Sequence, residues 1–550
     1  MKRFLKENYF LIILWVLCIT ALYIYQGHYT DIMLDFGREV FYPQRILEGK
    51  VLYKDLFAIY GPFAYLFNAL LYKFFGTNLS TLYAAGILSS LLFVSGIYLI
   101  AEKFLSKFLS FSIGIFTIAA GVSTGILFNF SFPYSWAMLY GIIAFVYSIL
   151  FLIKYKTDNK NLFLYISSLL CGVCIACKYE FAVYGILLFA YLIYIGIKDF
   201  KTGIKAVCAF FAAPLISFGT LFIQGLSLND LITSLNNVKE MTQTETLKHF
   251  YQSVGVYFHP QVLPLLFFTF IKTSVSLGSL IAGVALFNKN KFASVFVTFI
   301  GLLLSLWFLT DTKILTFIFL PILLFVTGII CYKKLKNNIP LLIIVISGLA
   351  ISLKSIWGML ILSYASYYIS FVLIAFFALL FNCINKKYQT ITAVYMLLLA
   401  FFIWFINSAE FYNIKNLIST SKGEICTYSQ LAKSTNELIS FITKNTKQND
   451  RIVIFPEGLM INFLTDRKSD DYYNSMLPLY TESFGEQKIV EHFENNKPEY
   501  FILTNENMKD YGFNNICNDY AFELCTFINT NYDNVKTIDY GYRYLVFKRK

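Results

Sequence analysis

Apolar runs long enough, or nearly long enough, to cross a bilayer follow one another through the first three quarters of the sequence. They lie at about 9–26, 79–100, 109–127, 135–153, 161–177, 181–197, 204–223, 263–287, 292–309, 314–331, 339–353, 358–382 and 389–407. Such a run has few ways to fold. Its backbone groups find no water in hydrocarbon, so each run must satisfy its own hydrogen bonds as a helix of about 20 residues. Composition agrees, with 57% hydrophobic and only 14% charged residues against about 25% charged in soluble domains. The chain therefore reads as a polytopic membrane protein with about thirteen transmembrane helices. Lys2, Arg3 and Lys6 precede the run Tyr9 to Tyr25 and no small-residue cleavage site follows, so the first helix is expected to be a retained signal anchor.

Charge orders the runs. With the N-terminus in the cytoplasm and strict alternation, the inside segments carry Lys2/Arg3/Lys6, Lys103/Lys107, Lys154/Lys156/Lys160, Lys198/Lys201/Lys205, Lys289/Lys291, Lys333/Lys334/Lys336 and Lys386/Lys387. Each holds at least two bases, and most short outside segments hold one or none, as the positive-inside rule requires. The outside face then receives segment 27–78, the turn 128–134 (FNFSFPY), the turn Lys178-Tyr179-Glu180, the long loop 224–262, the Asp311/Lys313 turn, Lys354 and the whole tail. Nearly every acid of the membrane region falls there, so any chemistry faces outward. Lys272 interrupts one run, either near the outer interface or after a surface helix over 261–271.

The sequence divides at about residue 410. Residues 1–409 are expected to form the membrane domain and 410–550 a soluble, extracytoplasmic α/β domain. The tail carries 16 Lys and Arg against 19 Asp and Glu, a net of −3, whereas the remainder has a net of +15. A basic membrane part with a mildly acidic tail reflects cytoplasmic loop charges and not nucleic-acid binding. Within the tail the pattern predicts helices at 427–446, after Glu457, at 484–495 and at 519–530. Strands are predicted at 451–456, 499–505, 534–540 and 542–549. It contains no glycine-rich nucleotide loop. Cys171, Cys174 and Cys177 sit in an apolar helix without a partner His, which favours helix packing over a metal site. Cys426, Cys517 and Cys525 allow at most one disulfide among them. His249 and His259, in loop 224–262, show no zinc-binding spacing.

The most charged stretch of the membrane region is 31–62, DIMLDFGREVFYPQRILEGKVLYKDLFAIYGP, with five acids and four bases. Phe36, Val40, Phe41, Ile46 and Leu47 recur at roughly helical spacing, which predicts an amphipathic helix at the membrane surface, able to hold a lipid headgroup. Asp31, Asp35 and Glu39 stand four apart, so a helix through them would carry three carboxylates on one face. Like charges so placed repel and call for cations, a substrate or water. A carboxylate here could deprotonate an acceptor hydroxyl, and nearby Lys and Arg could hold a phosphate leaving group. These are the ingredients for moving a sugar off a polyprenyl phosphate.

Asp35, the segment EGKVLYKD ending at Asp55 twenty residues on, and IYGPFAYLFNALLYKFFG through Gly76 resemble the first outer loop of C-type-fold membrane glycosyltransferases. These are the family-39, protein-mannosyltransferase and aminoarabinose-transferase type. FPYSWAM (132–138), the Lys178-Tyr179-Glu180 turn and FPEGLMINFLTDR (455–467) extend the similarity over most of the chain. The resemblance implies an inverting transferase that uses a polyprenyl-phosphate sugar, multi-pass in the cell (plasma) membrane, with a glycolipid, envelope glycan or protein as acceptor. It maps the catalytic base to Asp35. The acidic neighbour usual in the family is Phe36 here, which leaves Asp31 and Glu39 as substitutes. The region that often supplies a second acid holds Asn129, Tyr134 and Ser135. The cofactor therefore stays open between none and a divalent cation, Mg or Mn. Asp55 would orient the acceptor or cap the following helix. The donor phosphate would be held by Lys178 with Arg38, Lys313 or Lys354. Glu180, Glu39 and Tyr134 would line the acceptor side. Rival readings are a polymerase or ligase of lipid-linked glycans and, with spans nearly free of charge, less favourably a flippase.

Overall fold

The computed structural model describes residues 2–254, 263–287, 289–310, 319–355, 364–383 and 386–550. Every predicted run holds a helix in its described residues, though the run 109–127 leaves helix after Gly121: Lys2–Tyr25, Leu79–Ala101, Lys107–Gly121, Trp136–Asp158, Asn161–Cys177, Ala182–Lys198, Phe200–Ile223, Leu263–Leu286, Lys291–Thr310, Leu320–Ile330, Ile339–Ser355, Ile369–Cys383 and Gln389–Phe411. Among the described residues six helices are long and apolar enough to cross a membrane, and the chain is a multi-pass membrane protein. Leu263–Leu286 is one continuous helix, so Lys272 marks no break. Close packing between helices uses small residues, because lipid supplies no hydrophobic force to drive helices together. A Cβ on Gly172 would stand 2.1 Å from the Phe210 carbonyl oxygen, and the same closeness lets the 128–134 turn rest on a helix, where a Cβ on Gly86 would stand 1.9 Å from the Ser131 carbonyl oxygen. Cys171, Cys174 and Cys177 are buried in this packing.

After Phe411 the chain changes to mixed structure. A hairpin, β1 (Asn416–Thr420) and β2 (Gly423–Thr427), was not foreseen in the sequence, and it precedes the helix Ser429–Asn445. The main sheet runs β3-β4-β6-β5, with β3 (Ile452–Phe455) parallel to β4 (Tyr500–Thr504) and antiparallel pairing to β6 (Arg543–Arg549) and β5 (Tyr532–Asp539). The two parallel strands are buried throughout, as IVIF and YFILT demand. Their crossover carries the helices Leu459–Thr465, Pro478–Phe484 and Glu486–Asn495. Cys517 is bonded to Cys525, which leaves Cys426 as the free thiol of the tail.

The tail docks on one end of the helix bundle. Gly27 and Tyr29, just past the first span, exchange backbone hydrogen bonds with Cys426 of the hairpin, and Leu79 N–H donates to Lys422 O. Asn237 in the helix Leu228–Gln243 donates to the Tyr472 hydroxyl, and Glu482 accepts from the amides of Glu245 and Thr246. Loop 27–78, the 125–134 turn and the described part of loop 224–262 thus meet at the tail.

The helix Phe36–Leu47 lies inside this junction. All but two of its residues, Gln44 and Leu47, are buried, so it does not rest a greasy face on lipid as its periodicity suggested. The tail helix Leu459–Thr465 packs against it at Gly37. At Gly37 the backbones approach so closely that a Cβ would stand 2.5 Å from Met460 N and 2.9 Å from Leu459 Cβ. Gly37→Ala should therefore lower stability by about 1–3 kcal/mol, the usual toll of overpacking. Thermal unfolding and faster tryptic release of the tail would read this, and an unchanged melting profile would contradict the packing.

Candidate active site

Asp35 immediately precedes the helix Phe36–Leu47, and Arg38 and Glu39 occupy its first turn. Asp35 Oδ1 accepts from Arg38 Nη2 at 2.8 Å. Arg38 Nε reaches Glu39 Oε1 at 3.3 Å, and its Nη2 lies 3.5 Å from the Tyr134 carbonyl. Glu39 is buried, 1% exposed. Its Oε2 accepts the Trp136 amide at 2.8 Å and its Oε1 the Tyr65 hydroxyl at 3.3 Å. It thereby caps the span that begins at Trp136, where a carboxylate suits the helix dipole. Burial pushes the Glu39 carboxyl up to about 7 against the opposing pull of Arg38. The Glu39 carboxylate is enclosed by these partners, whereas the Asp35 side chain is 27% exposed.

A second cation completes the centre. Lys178, 3% exposed, donates to the Tyr134 hydroxyl at 2.9 Å and pairs with Glu180 Oε1 at 2.9 Å. The Tyr368 hydroxyl donates to Glu180 Oε2 at 3.0 Å. The Tyr60 ring links the two halves, with Lys178 Nζ 4.5 Å and Arg38 Cζ 5.3 Å from its centroid. Asp35, Arg38, Tyr134, Lys178 and Glu180 are thus brought together. Lys313 lies outside the described residues, as does His259. Lys354 lies in the helix Ile339–Ser355, with its side chain outside the description.

Two sequence expectations are corrected. Asp31, Asp35 and Glu39 do not share a helical face, because the helix begins only at Phe36. Asp31 instead closes a turn, its Oδ1 accepting the Met33 and Leu34 amides, and with Glu506 it lines a separate cavity of about 520 Å³. Asp55 caps neither helix: its carboxylate accepts the Val51 amide at 2.8 Å within its own turn. It faces a groove of about 720 Å³ between loop 50–55, the helix Leu228–Gln243 and the tail. Arg45 is bound to Asp471 of the tail.

Sequence reasoning missed the role of Glu457. Its Oε2 accepts the Asp35 amide at 2.8 Å and its Oε1 the Ser475 hydroxyl at 2.7 Å. Burial and the charge of Asp35 push its carboxyl up to about 7. Glu457 lies in the segment FPEGLMINFLTDR, but nothing in that segment points 422 positions back. Arg38, Tyr42, Glu457, Ser475 and Tyr480 enclose a cavity of about 20 Å³, room for one water. Tyr472 and Phe484 line both this cavity and the larger groove.

The donors described at this centre are already matched. Arg38 supplies the positive charge to Asp35 and Glu39, and Asn129 spends its amide on Ile126, Ser131 and Phe132. Among the described residues no three His, Cys, Asp or Glu side chains converge.

The buried acids set a pH dependence. Burial, then the charge of Glu506, raises Asp31 to about 8, and burial raises Glu506 in turn. A carboxyl with a raised folded pKa binds its proton more tightly folded than unfolded. Its favourable contribution is therefore complete below about pH 4 and is lost as pH rises toward 8. The junction of tail and bundle should be more resistant to heat and trypsin at pH 5.5 than at pH 8.5. Asp31→Asn should flatten that difference, and a variant with the wild-type slope would refute the assignment.

No family model matches the sequence, and no curated protein is similar to it. Solved structures are. The Archaeoglobus fulgidus oligosaccharyltransferase in complex with zinc and sulfate aligns with a TM-score of 0.50 at 12% identity, over 90% of this chain and 67% of that one. The same organism's oligosaccharyltransferase AglB, in complex with an inhibitory peptide and a dolichol-phosphate, aligns at 0.47 and 13% identity over 90% and 69%. ArnT from Cupriavidus metallidurans, bound to undecaprenyl phosphate, aligns at 0.43 and 12% identity over 98% and 97%. The first of these likenesses carries the fold, which is the C-type glycosyltransferase fold.

Proposed function

We propose that this chain is an inverting glycosyltransferase that moves a sugar from a polyprenyl-phosphate carrier to a hydroxyl acceptor on the outer side of the cell membrane. Residues 1–409 form the transferase domain and 410–550 an extracytoplasmic domain that closes over it. The observation that carries the reading is the partly exposed Asp35 carboxylate, held by Arg38, whose guanidinium shares the Tyr60 ring with the Lys178 ammonium, in a C-type fold. Asp35 takes the acceptor O–H proton, and the oxygen forms a bond to the anomeric carbon from the face opposite the phosphate. The bond from that carbon to the phosphate oxygen breaks, and the polyprenyl phosphate leaves with its charge met by Lys178 and Arg38. A phosphate needs no separate general acid.

The test supplies purified protein in nanodiscs with a panel of undecaprenyl-phosphate sugars and envelope fractions as acceptors. Released undecaprenyl phosphate together with a labelled acceptor is expected. Movement of intact lipid across the bilayer without release would support a transporter and overturn the reading.

A further inference from the structure

Asp35 sits in an unusual backbone. Its φ is +60° and its ψ −47°, and the Phe36 amide donates to the Leu34 carbonyl at 2.6 Å across it. That is a three-residue γ-turn of the classic hand, a rare and strained form for a residue with a side chain. Strain of this kind persists only where the surroundings hold it. The Asp35 side chain makes no cap to its own helix. The amide of Asp35 is bound from outside the turn by Glu457 Oε2 at 2.8 Å. Glu457 is itself 8% exposed and oriented by the Ser475 hydroxyl at 2.7 Å. It stands between the buried strand β3 and the helix Leu459–Thr465, the element that packs on Gly37. The strained turn is therefore gripped by the rigid core of the tail.

We propose that Glu457 is a positioning residue for the transfer: reaching over from the tail, it clamps the Asp35 amide and fixes the turn that aims the Asp35 carboxylate, so that transfer requires a docked tail. This rests on Asp35 as the base, but the clamp has a readout that does not. Released from Glu457, the turn relaxes, and displacement of a catalytic group by as little as an ångström is enough to cost a reaction about 100-fold.

The full-length protein in nanodiscs is compared with Glu457→Ala and Glu457→Gln, by hydrogen exchange over residues 33–40 and by release of undecaprenyl phosphate. Glu457→Ala is expected to speed exchange at the Asp35 amide about tenfold, while β3 stays protected. It is expected to lower kcat about 100-fold at an unchanged KM for the donor. Glu457→Gln offers an amide oxygen to the same N–H, and both readouts are expected to stay within about threefold of wild type. Unchanged exchange at Asp35 in Glu457→Ala overturns the clamp. An equal loss of kcat in both variants without faster exchange also overturns it, since that result makes the charge and not the hydrogen bond the active element. If the wild type turns over no donor while exchange behaves as expected, the clamp stands and the transferase reading falls separately.

Discussion

Asp35→Asn is expected to lower the rate of undecaprenyl phosphate release by about three orders of magnitude at saturating donor, within the range that a positioned general base contributes. Asn has nearly the shape of Asp, and its Oδ1 can keep the 2.8 Å bond from Arg38. The backbone bond to Glu457 is untouched, because it uses the residue's amide. Arg38 retains Glu39, and Lys178 retains Tyr134 and Glu180. Donor affinity and thermal stability should therefore stay near wild type, and the loss should fall on kcat alone. Asp31→Asn and Asp55→Asn serve as contrasts. Asp31 belongs to the cavity it shares with Glu506, and Asp55 to its own turn, so neither change should approach the effect at Asp35. Turnover unchanged in Asp35→Asn would remove it as the base. A large effect at Asp31 with none at Asp35 would move the chemistry to the other cavity.

What could be read in the sequence follows from how far each signal travels along the chain. The bundle was legible because hydrocarbon demands long apolar runs, and each of these holds a helix in its described residues. The buried strands IVIF and YFILT were legible for a similar reason, since a strand covered on both faces is apolar throughout. The β1–β2 hairpin was not, because NLIST and GEICT are half polar and each buries little of its surface. At the site, the twenty-residue spacing pointed to Asp35, whose side chain is the partly exposed one beside Arg38. The four-residue spacing of Asp31, Asp35 and Glu39 misled, because period alone cannot tell a helix from the turn that precedes it. That turn is held by Glu457, a partner 422 positions away, and only the folded chain brings them together. The Tyr60 ring, shared by two cations, was hidden for the same reason.

Lys178→Met should separate the energetics of this centre from its chemistry. Lys178 is almost wholly buried and faces the Glu180 carboxylate, the Tyr134 hydroxyl and the Tyr60 ring. Removing it takes the cation from a buried carboxylate, a change that costs about 3–5 kcal/mol in such settings, so the variant should melt well below wild type. It should also lose about 100-fold or more in kcat, because the departing phosphate loses a preorganised positive charge in a site with little water. Each loss alone has a trivial explanation, but the double variant Lys178→Met/Glu180→Gln does not. With both charges gone, the Tyr368 hydroxyl still has an amide oxygen at residue 180 to donate to, and most of the stability should return. The leaving group gains nothing from that repair, so turnover should stay low. Thermal unfolding and undecaprenyl phosphate release, measured on the same preparations, give the two readouts. Recovery of turnover together with stability would make Lys178 a structural partner of Glu180 and leave the phosphate to Arg38. Stability restored while kcat stays depressed would place the Lys178 ammonium at the donor.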